Sequence, residues 1–282
     1  MAIQFPAIDS VAFSIGPVSV RWYGLAYMAG FILGWLYMRK LVSTPALWRG
    51  APPLTPEQTD DFLLWATLGT VVGGRLGYVL LYEPTKFIAE PWKVFYTWEG
   101  GMAFHGGLLG VCAAVWLFSW RNRTPLLGLA DLSAASVPIG LFFGRLANFI
   151  NGEMYGRLTD VPWAVAFPAR FMLNHDYPGP RHPTQLYEAL LEGAAMFLLL
   201  RLLTHRAGAL KRPGLTAGAF FFLYGTARIF VEFYKEWDVK QFFTTPWFSE
   251  GMVYSAPMLA AGAYLIWRAR RNAGGLAHCR EN

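Results

Sequence analysis

Arg145 and Asn148 stand three residues apart, and Asn148 and Asn151 repeat that spacing, within the stretch Gly144-Arg145-Leu146-Ala147-Asn148-Phe149-Ile150-Asn151-Gly152-Glu153. Residues three and four apart are neighbours on a helix surface, so this stretch gathers one cation and several amides on a narrow front. A guanidinium grips phosphate through two parallel hydrogen bonds and does not lose its proton, which suits it to a buried anion site. Tyr224, Arg228 and Glu232 follow i, i+4, i+8 and bring a second guanidinium to one helical face; the same spacing would also serve a purely structural Arg228–Glu232 ion pair. His105 stands among the glycines 100, 101, 106 and 107, where a ligand could come close to the backbone. Arg75, in Gly73-Gly74-Arg75-Leu76-Gly77, fits either a site or a tight helix crossing. Glu188 and Glu192 are like-charged at i, i+4 and require cationic partners, either Arg181 or a group on another helix.

These groups are embedded in an apolar chain. Of 282 residues, 55% are hydrophobic and only 15% charged, against roughly 25% charged in an ordinary soluble domain; mean hydropathy is +0.32. That composition excludes a disordered chain and argues against a soluble globule, whose single core could not hold so much apolar surface. Seven apolar runs stand out: Trp22–Met38, Phe62–Tyr82, Met102–Trp120, Leu126–Ile150, Leu186–Leu203, Gly214–Tyr234 and Gly251–Trp267. Each approaches the roughly 20 residues that a helix needs to cross a hydrocarbon core about 30 Å thick. None alternates in period two, so helices are expected and a barrel is not. The predicted fold is an all-α polytopic membrane protein with seven transmembrane helices. Residues 1–282 form one integral membrane domain, with 151–185 as a small external cap between spans 4 and 5. Five prolines in that segment argue against one regular helix there. Met1–Val20 lacks the basic start of a cleavable signal and carries Pro6, Asp9 and Pro17.

Lysine and arginine set the orientation. Thirteen fall in or beside the connections after runs 1, 3, 5 and 7, and eight fall on the other side. The positive-inside rule then puts the C-terminus in the cytoplasm and the N-terminus outside. Arg75, Arg145 and Arg228 are the three basic residues left within the runs. An ionisable group there costs about 2.5–3.5 kcal/mol on insertion scales, so each is a functional candidate. In this orientation Arg145 lies six residues, roughly 9 Å, inside the outer boundary. Arg75, Arg228, Glu232, His105, Glu188, Glu192, Tyr23 and Tyr27 all fall in the same outer half. Asp131, near the inner end of run 4, is the exception. Structural accidents would scatter between leaflets; this clustering implies one polar chamber opening outward. HExxH, Walker and GxSxG patterns are missing, so no metal, nucleotide or other cofactor is expected, and no nucleic-acid partner. The two cysteines, Cys112 and Cys279, form neither a disulfide framework nor a zinc cluster.

The stretch Gly144–Gly156, GRLANFINGEMYG, resembles the signature block of the bacterial prolipoprotein diacylglyceryl transferases. The resemblance continues in Trp22-Tyr23-Gly24-Leu25, in GGMAFHGG at 100–107, in RHPTQLYE at Arg181–Glu188 and in YGTARIFVEF at Tyr224–Phe233, running in order from about residue 13 to 268. It implies transfer of the diacylglyceryl group of phosphatidylglycerol to the lipobox cysteine of a prolipoprotein in the cytoplasmic membrane, with glycerol phosphate leaving. Partners are then phosphatidylglycerol, the prolipoprotein signal peptide and the lipid bilayer. By motif position the resemblance assigns Arg145, Arg228 and His105 to catalysis, and Tyr23, Asn148, Glu153, Gly156, Tyr224 and Glu232 to conserved or functional places. Arg75 joins these as a substrate-binding candidate from its depth. His105 is either the base for the substrate thiol or a residue that positions the headgroup. Two departures stand out: Lys235 where arginine is common, and Met252 where the family usually has glutamine after the glycine, which puts a role for run 7 in doubt. The nucleophile belongs to the substrate, so Cys112→Ser and Cys279→Ser are expected to be tolerated. A carrier for an anionic lipid is the rival reading, disfavoured because the polar groups stop short of the inner leaflet and no inverted repeat is evident.

Overall fold

The computed structural model describes residues 2–6, 8–16, 18–96, 101–168, 171, 178–236 and 249–278, apart from the side chains of residues 18, 104, 105, 250 and 273–278. Every one of the seven apolar runs is helical. They form α1 (Trp22–Val42), α2 (Pro56–Leu81), α4 (Phe104–Asn122), α5 (Leu126–Ile150), α8 (Leu215–Glu232) and α9 (Glu250–His278), with the fifth run split as below. A short α3 (Pro84–Ala89) lies between α2 and α4. The fifth run is continuous but mixed: α6 (Thr184–Glu188) passes into a π-helical stretch, Ala189–Ala195, and then into α7 (Met196–His205). α2 starts six residues before its apolar run because Thr55 and Gln58 close a capping box around Pro56, satisfying donors that the helix start leaves open. α2 and α5 are each long and apolar enough to cross a membrane. Leu64, Leu68, Leu80 and Leu81 of α2 point outward and exposed, a face suited to lipid rather than water.

Glycines set how closely the helices approach. Gly69, Gly73 and Gly77 of α2 face Gly106 and Gly110 of α4; a Cβ on Gly69 would lie 2.5 Å from the Gly110 carbonyl oxygen, and one on Gly77 2.7 Å from Gly106 Cα. Helices in lipid associate through such small-xxx-small seams, because lipid supplies no hydrophobic drive between them. Gly30 against Gly140 joins α1 to α5, and Gly218 against Gly262 joins α8 to α9. The tight-crossing expectation at Gly73–Gly77 is therefore met by its glycines. Gly110→Val should force α2 and α4 apart at a cost of about 1–3 kcal/mol, the usual range for overpacking. Thermal unfolding in detergent tests this against Gly24→Ala, whose Cβ would meet open space; equal midpoints would contradict a close-packed seam.

Two apolar clusters fill the bundle. One gathers Leu41, Leu54, Phe62, Phe118, Leu129 and Leu132. The other gathers Met196, Leu200, Ala217, Phe220 and Tyr224. Asp131 lies between helices as a long-range cap. Its Oδ2 accepts the Gly214 N–H at 2.7 Å and its Oδ1 the Ala217 N–H at 2.8 Å. A buried carboxylate is tolerable there because it satisfies the donors that open α8.

The segment between α5 and α6 is joined by the start of the chain. Strands β4 (Val165–Ala166) and β5 (Pro180–Arg181) pair antiparallel, and β1 (Ile3–Gln4) from the start of the chain joins β4 in parallel. Phe5 completes a small core with Tyr155, Val165 and Phe167. The first twenty residues also form an antiparallel hairpin, β2 (Val11–Ile15) and β3 (Val18–Arg21), leading into α1. So short an N-terminal strand gains its pairing only in three dimensions, and no periodicity announces it.

Candidate functional site

Arg145 lies in the last two turns of α5, Arg228 in the last turns of α8, Lys235 just beyond it, and Glu188 at the end of α6. The fold brings them to one point. Glu188, with no exposed surface, carries three cations. Arg145 Nε lies 3.3 Å from its Oε2, Lys235 Nζ lies 3.2 Å from its Oε1, and Arg228 Nη1 donates to the same Oε1. Arg145 Nη2 reaches Glu192 Oε2 at 3.3 Å, and Arg228 Nη2 lies 3.5 Å from Glu232 Oε2. Tyr224 borders Arg145, Arg228, Glu188 and Glu192, so its predicted face with Arg228 and Glu232 is the face that meets the cluster. The Arg228–Glu232 pair exists, but Glu188 is the closer partner.

The π-helical stretch makes this approach feasible. Gly193 lies against Phe142 of α5, where a Cβ would sit 2.6 Å from the Phe142 Cβ and 2.7 Å from its Cα. Widened turns of this kind recur at functional sites. Here the stretch carries Glu192, one turn after Glu188, onto the guanidinium of Arg145. Arg181 is not the partner of these glutamates. It pairs with Glu236 at 2.7 Å, donates to the Gly156 carbonyl at 3.2 Å and lies over the Tyr155 ring. The cations that hold Glu188 and Glu192 come from α5 and α8.

A second polar group adjoins the first along α5. Asn148 and Asn151 each donate to the Glu153 carboxylate at 3.2 Å, and Gln185 donates to the Glu153 carbonyl. Tyr23 meets the same group, with Asn148 and Glu153 as polar neighbours and Tyr27 Oη 3.3 Å from its own hydroxyl. Tyr23, Asn148 and Glu153 thus assemble from α1, α5 and the loop after it.

Gly156 acts through the backbone. Its N–H donates to the His182 carbonyl at 2.8 Å, and a Cβ would collide with Thr184 and His182. It pairs with Lys235 as an antiparallel bridge, while the Arg157 N–H and Nε hold the Tyr234 and Lys235 carbonyls. The effect is to deliver the Lys235 ammonium to Glu188. Burial is the main force pulling that ammonium below the ordinary lysine range, and Glu188 opposes it. Burial likewise lowers the His182 imidazole, whose Nδ1 lies 3.0 Å from the Tyr187 hydroxyl.

Arg75 lies apart from both groups. Its guanidinium donates to the carbonyls of Lys93, Val94, Tyr96 and Gly101, at 2.6, 2.8, 3.1 and 3.1 Å. The cation ties the connection between α2 and α4 to the bundle. His105 lies on α4, with its side chain outside the described residues. Gly251, at the start of α9, packs so closely on Glu232 that a Cβ would lie 2.6 Å from the carboxylate. The seventh run therefore reaches Glu232 through its first turn, whatever the side chain at Met252. Sequence reasoning weighed Glu188 and Glu192 without placing them in the site and treated Lys235 only as a departure. Their signal was the need of two like charges for cations inside an apolar run.

Three cations converging on one carboxylate, next to an amide-rich group, suit an anionic headgroup. Among the described residues Arg145 Nη1 has one partner, the weak acceptor Met154 Sδ at 3.7 Å, so that edge of the guanidinium is the one a phosphate oxygen could take over.

A profile of the prolipoprotein diacylglyceryl transferase family matches residues 10–268. The phosphatidylglycerol–prolipoprotein diacylglyceryl transferase of Rhizobium meliloti is 51% identical over 270 residues, covering 95% of this chain and 94% of that protein. The protein of the same name from Rhodopseudomonas palustris is 50% identical over 281 residues, covering 98% and 96%. That from Rhizobium leguminosarum bv. trifolii is 50% identical over 274 residues, covering 96% and 95%.

Proposed function

The chain belongs to the prolipoprotein diacylglyceryl transferase family, and from that premise we propose that it transfers the diacylglyceryl group of phosphatidylglycerol to the lipobox cysteine thiol of a prolipoprotein. The thiol sulfur attacks the glycerol carbon that bears the phosphate. The carbon–oxygen bond breaks, its electron pair stays on the phosphate oxygen, and glycerol phosphate leaves as the thioether forms. The thiol proton passes to a base or to solvent.

The observation that carries this reading is the meeting of Arg145, Arg228 and Lys235 on one buried carboxylate. Preorganised cations stabilise charge that gathers on a leaving oxygen without reorganisation at the moment of reaction. A guanidinium edge turned toward an incoming cysteine favours the thiolate over the thiol, whose unperturbed pKa is near 8.5. His105 is the candidate base; near-normal turnover of His105→Asn would remove it from that role. Tyr23, Asn148, Glu153, Tyr224 and Glu232 line and orient the donor, while Gly156 and Arg75 act through the loops they hold.

In this reading the helices α1, α2, α4, α5, α6–α7, α8 and α9 are seven spans in a bacterial inner membrane, with a periplasmic N-terminus and site and a cytoplasmic C-terminus. Residues 151–185, with β1, form the periplasmic cap of a single domain. Support comes from the basic excess after runs 1, 3, 5 and 7 and the outward apolar face of α2. The decisive assay incubates purified protein in detergent with labelled phosphatidylglycerol and a lipobox peptide. Thioether-linked peptide, seen by mass spectrometry, is the expected product. No product, together with translocation of the lipid in liposomes, would instead favour a carrier.

A further inference from the structure

The buried cluster is balanced before any donor arrives: Arg145, Arg228 and Lys235 stand against Glu188, Glu192 and Glu232. A phosphodiester adds one negative charge. Placing an uncompensated charge in a buried, water-poor site is costly, and such sites commonly respond by changing a protonation state.

The three carboxylates are not equally able to take a proton. Glu188 is contacted by all three cations, so protonating it would forfeit three attractions. Glu232 abuts the first turn of α9 at Gly251, where the helix start favours negative charge. Glu192 has no exposed surface and, among the described residues, one cation within 4 Å, Arg145. Glu188 lies one turn before Glu192. Glu188 Oε2, Glu192 Oε1 and Glu232 Oε2 are each buried without a hydrogen-bond partner among the described residues, but the first and last still lie 3.3 and 3.5 Å from a guanidinium, whereas Glu192 Oε1 is in no ion pair among the described residues. The titratable or charged groups facing it are Arg145 from α5, Glu188 from α6, Tyr224 and Arg228 from α8, and Lys235 beyond α8. We infer that Glu192 is the proton-linked carboxylate of this site, taking up one proton when the anionic headgroup binds and thereby keeping the cluster neutral. The one bond formed is the carboxyl O–H of Glu192, and its proton comes from the buffered solvent. The inference rests on the donor reading above, since it needs a phosphate to enter the cluster.

Isothermal titration of the purified protein with dioctanoyl-phosphatidylglycerol, in buffers of different ionisation enthalpy, measures the protons exchanged on binding. About one proton per lipid is expected from wild type. Kd should rise about tenfold per pH unit across the window in which free Glu192 is ionised and bound Glu192 is not. Glu192→Gln should bind with no buffer dependence and a flat pH profile, and more tightly than wild type at alkaline pH. Wild-type binding without proton uptake overturns the inference alone, and needs no variant to fold. Uptake that survives in Glu192→Gln places the proton elsewhere, Lys235 first, and also overturns it. Failure of wild type to bind the lipid, while inorganic phosphate or glycerol phosphate still binds, overturns the donor reading and this inference with it.

Discussion

Arg145→Lys should lower kcat by at least about a hundredfold, close to 2.7 kcal/mol of transition-state stabilisation, while leaving the protein folded. The geometry explains why conserving the charge is not enough. Arg145 Nε meets Glu188, Nη2 meets Glu192, and Nη1 meets, among the described residues, the weak acceptor Met154 Sδ. One planar group thus anchors to two carboxylates and still offers an edge to a phosphate oxygen. An ammonium is a point charge and cannot span both glutamates while presenting a fixed third donor. Initial rates at saturating phosphatidylglycerol and lipobox peptide, with a melting curve on the same sample, test this. Activity within threefold of wild type would remove Arg145 from catalysis. Arg228→Lys should behave similarly but less severely, because Lys235 already supplies an ammonium to the same glutamate oxygen.

Glu188→Ala has the second large effect, and it falls on stability. Removing this side chain takes away the one anion shared by three cations and leaves Arg145, Arg228 and Lys235 facing Glu192 and Glu232. Breaking a buried ion pair from one side costs about 3–5 kcal/mol, because the partner charge remains buried and uncompensated. The variant should show a markedly lower unfolding midpoint in detergent and little activity at its permissive temperature. Glu188→Gln, which keeps the volume and one acceptor oxygen, should lie between the two. A Glu188→Ala protein as stable as wild type would mean that the three cations are held apart by something other than this carboxylate.

Much of this arrangement is legible in the residues. The run Leu126–Ile150 coincides with α5 at both ends, because a long apolar segment bounded by Pro125 on one side and Asn151-Gly152 on the other has little other conformational choice. The i, i+4, i+8 spacing of Tyr224, Arg228 and Glu232 led to the shared face that the structure has. The glycine-rich setting of Arg75 left a tight crossing and a site both open; the structure has the close crossing at Gly73 and Gly77, with the guanidinium on loop carbonyls. Depth alone could not distinguish these outcomes, since two residues at one level of a bilayer can face different neighbours. The partners of Glu188 were also beyond reach: Arg181 is nearer in sequence, yet its side chain turns to Glu236 and Tyr155.

By itself, the order of residues determined the helices, their apolar faces, and the presence of charged residues inside apolar runs. Those properties follow from local periodicity and from the cost of putting polar atoms in hydrocarbon, and both are written along the chain. Tertiary structure decided which charges meet. Arg145, Glu188 and Arg228 are separated by about forty residues at each step, and only the rotation and approach of α5, α6 and α8, set by contacts such as Gly193 on Phe142 and Asp131 on Gly214, turn them to one point. An ion pair needs contact within a few ångströms, and contact at that scale is a property of packing, which no single segment carries.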